Sequence, residues 1–243
     1  MKQFLLFQLY GPMASWGDIA VGEQRPTAGH PSKSSVMGLL AAAKGIHRSE
    51  EALLQEMAVG YGFGVRVDSQ GELLRDYHTA QVPPAKGKFQ YFTRRDELLS
   101  HDLNTILSSR DYRIDARYVV ALWIIDSSVR FELEGLHEAL KCPEFVPYMG
   151  RKACPLAAPM LPQMVEAGNL KDAFAQFQAP DCFLPKLLPE MGVQYYWEAL
   201  DTEEAGMEAS MVYQRRDQTI NRRRWQFTER NEYYYSQSMR EVQ

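Results

Sequence analysis

The first apolar segment, Phe4 to Tyr10, carries Phe and Leu on both side-chain parities, the pattern of a strand covered on both faces. Polar residues and turn formers follow as far as Ser32, which can cap a helix. Beyond it Val36, Leu39, Leu40 and Ala43 recur at helical spacing, one apolar stripe that Gly45 ends. A second short helix is predicted from Ser49, with Glu50 and Glu51 favourable near its positive end. Phe63, Val65 and Val67 alternate with Gly64 and Arg66, a half-buried strand that turns at Asp68-Ser69-Gln70-Gly71. Leu73 to Val82 reads as another strand. Tyr118 to Ile125 is an unbroken apolar run of strand length, which places it in the middle of a sheet. Leu133, Leu136 and Leu140 then mark one side of a helix stopped by Pro143.

Strand, helix, strand, strand, helix is the order of an α+β, ferredoxin-like β-α-β-β-α-β core, its last strand being the least defined piece. Between the third and fourth strands, Pro83 to Arg117 is a long insertion. It carries Lys86, Gly87, Lys88, the aromatics Phe89, Tyr91 and Phe92, and then Arg94 and Arg95. Long connections in compact domains are functional or disordered, and aromatics interleaved with cations suit single-stranded RNA; a locally packed hairpin is the plainer alternative. After Pro162 the pattern weakens, and Tyr195-Tyr196-Trp197, Met211 to Tyr213 and Arg224 to Thr228 suggest short strands of a smaller unit. The expected division is residues 1–160 for the core with its insertion at about 83–117, and 161–243 for a smaller β-rich part.

The 243 residues are 45% hydrophobic, enough for one large core or two modest ones. Cys142, Cys154 and Cys182 are an odd set without a CxxC pair, which fits a reducing cytoplasm and argues against disulfides or a zinc knuckle. Residues 1–8 are too short and too interrupted by Gln for a signal peptide, and no apolar run approaches the ~20 residues of a membrane span, so a soluble, cytoplasmic protein is expected. Net charge is -4, from 27 basic and 31 acidic residues, which argues against nonspecific coating of nucleic acid. The basic residues nevertheless cluster, at 86–95, at Arg110-Arg113-Arg117, at Arg151-Lys152 and from Arg215-Arg216 through Arg222-Arg223-Arg224.

The loop from Gly11-Pro12-Met13-Ala14-Ser15-Trp16-Gly17 through Arg25-Pro26-Thr27 to Pro31-Ser32-Lys33-Ser34-Ser35 is a candidate seat for an anion. Arg25, Lys33 and the serines supply donors where a helix start presents unpaired N–H groups, although a solvated surface loop with an N-cap accounts for the same residues. Gly29-His30-Pro31-Ser32-Lys33-Ser34 lacks the glycine spacing of a nucleotide-phosphate loop, which argues against ATP hydrolysis. Arg75-Asp76-Tyr77-His78-Thr79 sets a histidine beside a phenol, groups able to move protons in metal-free RNA cleavage, or simply to hydrogen-bond within a strand. His30, His47, His78, His101 and His137 show no metal-ligand spacing. Tyr148-Met149-Gly150-Arg151-Lys152-Ala153-Cys154-Pro155 reads as a tight turn: Gly150 allows close backbone approach to a ligand, Arg151 can fork onto phosphate or a base edge, and Tyr148 can stack. Cys154 reads as structural.

Taken in order, the 9–17 segment, Arg25-Pro26-Thr27, the 31–40 segment, Arg75 to Thr79 and Pro147 to Leu156 resemble the CasD subunits of type I-E CRISPR Cascade complexes. Arg224-Trp225-Gln226-Phe227 and Tyr233-Tyr234-Tyr235 are similar to the C-terminal portion of that family. The resemblance implies a RAMP-superfamily fold, with an RNA-recognition-motif-like core and a protruding thumb. It implies a noncatalytic subunit, without cofactor or metal, that holds the 5′ handle of the CRISPR RNA and caps the CasC backbone filament. Its other partners would be the large CasA subunit and, through the complex, target DNA, with no membrane. Transferred onto matching positions, the implied RNA-binding set is Trp16, Arg25, Lys33, Ser34, Ser35, Tyr77, His78, Arg151 and Lys152. Cations and serines would hold phosphates, and Trp16, Tyr77 and His78 would stack on or edge-bond bases. Type I-C relatives cut precursor RNA with an adjacent Lys-His pair that this sequence lacks; a metal-independent endoribonuclease centred on Tyr77 and His78 is the alternative.

Overall fold

A computed structural model describes residues 1–84, 90–99, 102–179, 192–221, 224 and 226–237. Among the sequence expectations, Lys86, Lys88, Phe89, His101, Cys182, Arg222, Arg223 and Trp225 lie outside the described residues. The architecture is mixed α/β around one large antiparallel sheet.

At the centre of that sheet, β1 (Lys2–Tyr10) pairs with β7 (Arg117–Ile124), which pairs in turn with β4 (Tyr61–Ser69). On its other side β1 pairs with β8 (Gln163–Ala167), a strand to which the sequence reading assigned no residues. Central strands need apolar residues on both parities, and both strands have them. Leu5, Phe7 and Leu9 of β1, with Tyr118, Val120 and Leu122 of β7, face one core; Phe4, Leu6, Val119, Ala121 and Trp123 face the other. The first core is covered by α1 (Lys33–Ala43), α2 (Glu51–Gly60) and α4 (Leu133–Lys141), where Leu133, Leu136 and Leu140 point inward as their spacing predicts. The second is covered by α5 (Leu170–Gln176) and α6 (Thr202–Ala205). Ser32 caps α1, its side chain accepting from the Ser35 amide, and Gly45 takes φ +72° just beyond the helix. None of the described helices is long and apolar enough to cross a membrane.

Two expectations about connectivity are corrected. Leu73 to Val82 does not join the large sheet: it forms β5 (Glu72–Val82), which pairs along its whole length with β6 (Asn104–Ile114) in a second sheet. The short helix α3 (Arg94–Leu98) sits in the connection between them. Residues 73–82 do form a strand, but a strand pattern does not name its neighbours, and Leu73, Leu74 and Tyr77 are exposed. The other edge of β6 takes β2 (Met13–Ala14) antiparallel and β3 (Gln24–Arg25) parallel. The expected insertion at about 83–117 therefore falls within a longer hairpin whose first strand begins at residue 72.

After residue 161 the chain returns to the large sheet. β9 (Val193–Trp197) pairs with β4, β11 (Gln226–Gln237) pairs with β9, and β10 (Met211–Asn221) closes the order β10-β11-β9-β4-β7-β1-β8. The C-terminal strands thus extend the core sheet, and the sheet runs without a break across residue 160.

Candidate nucleic-acid interface

The loops that stood out in the sequence are stitched together by backbone hydrogen bonds. The Ser15 amide donates to the Met149 carbonyl at 3.0 Å, and the Ala157 amide to the Tyr10 carbonyl at 3.0 Å. Within the second loop, Tyr148 bridges Pro155, the Met149 amide donates to the Cys154 carbonyl and the Cys154 amide to the Arg151 carbonyl, each at 2.8 Å. Gly150 has φ +84°, and a Cβ there would lie 1.8 Å from the Ser15 carbonyl oxygen. Its smallness serves the close approach of two loops of this chain, not the approach of a ligand as the sequence reading held.

Arg151 ties this pair of loops to the hairpin. Its guanidinium donates to the Arg25 carbonyl at 3.0 Å and to the Asp111 carbonyl at 3.4 Å, and lies 4.8 Å from the centre of the Tyr112 ring. The Ser15 hydroxyl donates to the same Asp111 carbonyl, and the Trp16 amide to the Thr27 hydroxyl. Lys152 is exposed beside it, and Arg25 is exposed with its own Nη1 bonded to the Gly22 and Gln24 carbonyls. A hydrogen bond from Arg75 holds the Asp111 carboxyl below the usual range. Burial pushes the Cys154 thiol up, consistent with a structural cysteine.

Between these loops and the first turn of α1 opens a cavity of about 490 Å³, lined on its polar side by Ser15, Ser34, Ser35, Tyr148 and Arg151. The wall formed by Leu39, Ala42, Ile46 and Phe145 is apolar, and His47 and Arg48 stand at its edge. Arg48 was not singled out in the sequence, and His47 was noted there only as a histidine without metal-ligand spacing. Trp16, Gly17, Ser32, Ser34 and Phe227 also line a second, larger cleft of about 1090 Å³, which continues past Tyr196 and Tyr213 to Arg215 and Arg216. A ligand with a polar, anionic backbone and flat apolar groups matches this combination of hydroxyls, guanidinium and aromatic walls.

The expected site residues divide. Ser34, Ser35, Arg25, Arg151 and Lys152 come together around the first cavity or beside it. Trp16 lines both clefts but is only 5% exposed, packed edge-to-face on Tyr118 at 5.5 Å, which leaves little ring for stacking on a base. Lys33 is 4% exposed, and its ammonium lies 2.5 Å from Glu198 Oε1. It is therefore committed to an internal ion pair rather than open to a phosphate. Tyr77 and His78 are successive residues of β5, so their side chains leave opposite faces of the sheet. The register Tyr77–Ser109, His78–Ser108, Gln24–Ser109 and Arg25–Arg110 puts His78 on the face of Arg25, Arg110 and Tyr112, and Tyr77 on the other. Proton transfer between the pair at one bond is not available in this arrangement.

Sequence reasoning missed the partners of Lys33. Glu198, Asp217, Arg230 and Glu232 form a buried ion cluster behind the first turn of α1. The signal was slight: Arg230 and Glu232 are charges of one parity within an aromatic strand. Among the described residues no group of three or more His, Cys, Asp or Glu could hold a metal ion.

Residues 4–232 match the family described as CRISPR-associated protein (Cas_Cas5). The chain belongs to the Cas5 family. The family resemblance read from the loop motifs is thereby borne out. This Cas5 chain is 32% identical over 181 residues to the CRISPR system Cascade subunit CasD of Escherichia coli strain K12, with 73% of this chain and 78% of that protein covered. It also shares its fold with a structure described as crystal structure of Cas protein: TM-score 0.65, 27% identity, 98% of this chain and 96% of that one. A chain of a CRISPR RNA-guided surveillance complex superposes with TM-score 0.64 at 24% identity, covering 97% of this chain and 90% of that one. The Cas5 match runs from β1 into β11, so the cleft and the C-terminal strands both lie within it.

Proposed function

We propose that this Cas5 chain is the CasD-like subunit of a CRISPR surveillance complex, which holds the 5′ handle of the CRISPR RNA without cutting it. The observation that carries the reading is the convergence of the 13–17, 25–35 and 148–152 segments on one cleft. Serine hydroxyls on its α1 wall and the Arg25, Arg151 and Lys152 cations at its rim provide phosphate contacts, and Tyr148 and His78 provide flat faces for splayed bases. The order β4-β7-β1-β8 with α1 and α4 on one side supports a ferredoxin-like, RAMP-type core. The 72–114 hairpin is its thumb, the element we assign to the wedge against the first CasC subunit, with CasA on a further face and target DNA reached through the complex. A separate role for residues 161–243 as a β-rich subdomain is part of the same reading. The opposite facing of Tyr77 and His78 supports a binding subunit over an endoribonuclease, and the cytoplasm is where such a complex would act.

Fluorescence-anisotropy titration of handle RNA tests this. Arg25→Ala combined with Lys152→Ala removes two exposed charges, so affinity should fall, and the salt dependence of log K should flatten by roughly 1.4, at about 0.7 per phosphate for a single strand. Equal affinity and equal salt slope would remove the cleft from consideration.

A further inference from the structure

At the start of α1 two carboxylates occupy the positions an external anion would take. The Lys33 amide donates to Asp217 Oδ2 at 2.8 Å, and the Lys33 ammonium pairs with Glu198. Arg230 grips Asp217 with both arms of its fork, Nε to Oδ1 at 2.7 Å and Nη2 to Oδ2 at 3.0 Å, and the same Nη2 donates to Glu232 Oε1 at 2.7 Å. Glu232 Oε2 lies 3.2 Å from His30 Nε2 and 3.6 Å from Arg215, and the His30 ring stacks on Tyr196 at 3.8 Å. Three carboxylates thus meet Lys33, Arg215 and Arg230, with His30 beside them. Only Arg215 has appreciable solvent exposure. The groups come from the approach to α1, the residue after β9, and both strands of the β10–β11 hairpin.

Such a cluster is a poor way to gain stability, because desolvating the ions offsets most of their attraction, and apolar side chains of similar volume do as well. Directional bonds do supply one thing that apolar packing does not: a single allowed placement of the backbone they hold. Here that backbone is the first turn of α1, whose Ser32, Ser34 and Ser35 line the cleft.

We propose that Asp217 and Glu198, both held by Arg230, which Glu232 holds in turn, are positioning residues for the RNA cleft: they fix the first turn of α1 and couple the β10–β11 hairpin to RNA bound against its serines. The proposal rests on the RNA-handle reading. Coupling of this kind is reciprocal, so RNA in the cleft stabilises the hairpin as much as the hairpin favours RNA.

Asp217→Asn is the sharpest probe. An amide offers one acceptor and one donor group, so it can serve Arg230 or the Lys33 amide but presents N–H groups to the other. The expected result is about tenfold weaker binding of single-stranded handle RNA, with hydrogen exchange quickened at the Lys33 and Ser35 amides but not in β1 or β7. Asp217→Glu, which keeps the carboxylate, should recover both. Glu198→Gln, which keeps an acceptor for Lys33, serves if Asp217→Asn does not fold, and should weaken binding by about threefold. Wild-type affinity in either folded variant, or exchange quickened uniformly across the sheet with Kd unchanged, overturns the proposal. If the wild type itself binds no handle RNA, the RNA reading fails separately, and the exchange pattern decides the positioning role alone: selective quickening at α1 sustains it and unchanged α1 amides overturn it.

Discussion

Gly150→Ala would strike the contact on which the cleft is built. The new methyl would sit 1.8 Å from the Ser15 carbonyl oxygen and 2.7 Å from its carbon, against an ordinary separation of roughly 3.5 Å. The backbone at residue 150 would also keep a φ of +84°, which costs a residue with a Cβ about 1–2 kcal/mol. Relieving the overlap moves one loop away from the other by more than 1 Å, at about 1–3 kcal/mol for the displaced packing. That movement breaks the hydrogen bond from Ser15 to Met149, worth about 1 kcal/mol. The loss is about 3–6 kcal/mol in all, a large part of the ~5–15 kcal/mol that holds an ordinary domain folded. For a chain of this length, each kcal/mol shifts the midpoint by about 2–4 °C, so thermal unfolding followed by circular dichroism should move down by about 10–20 °C. A midpoint within about 3 °C of the wild type, with RNA affinity intact, would refute the claim that this approach holds the two loops together.

Trp16→Ala removes a 5% exposed indole packed on Tyr118 and should cost about 3–5 kcal/mol in urea unfolding; a loss under 1 kcal/mol would show the ring to be a surface platform instead. Burial works to raise the Glu232 carboxyl, but the hydrogen bond and charge of His30, and then Arg230 and Arg215, hold it down at about 2 against an ordinary 4.5. Its contribution to stability is therefore present above pH 4.5 and lost as pH falls toward 2, so wild type and Glu232→Gln should converge in denaturant titrations near pH 2 and separate above 4.5. A gap that does not change with pH would contradict this. Tyr77→Ala should leave the RNA affinity of the isolated subunit within twofold, because Tyr77 faces away from Arg25 and Arg151, whereas His78→Ala on their face should weaken it; the reverse order in anisotropy titrations would overturn the assignment of faces.

The parts of the fold that were legible in the sequence are those whose environment is uniform along an element. β1 and β7 are apolar on both parities because they are buried on both sides, and α1 and α4 show one stripe because they cover a sheet on one side. β6 was missed because Asn104-Thr105-Ile106-Leu107-Ser108-Ser109-Arg110 belongs to a hairpin with solvent on it, where no core imposes a pattern. In the candidate site, the local features could be read: the Ser32 cap, the tight turn at Gly150, the exposed Arg25 and Lys152. Lys33 could not, since a lysine between serines looks like a surface cation, and the carboxylate that takes it into the interior, Glu198, lies in the last fifth of the chain. A long-range ion pair leaves no periodic trace in either of its segments.

The position of β9 in the large sheet has a consequence for synthesis. Val65 of β4 faces Tyr196 of β9, so one side of β4 waits for about 130 further residues before it acquires its neighbour. At translation rates of roughly 5–20 residues per second, that is on the order of ten seconds with an apolar strand edge uncovered on the ribosome. The β5–β6 hairpin, by contrast, closes within its own local sequence, on the order of microseconds once its second strand has emerged. The arm reaches its final form while the body that carries it is still half made.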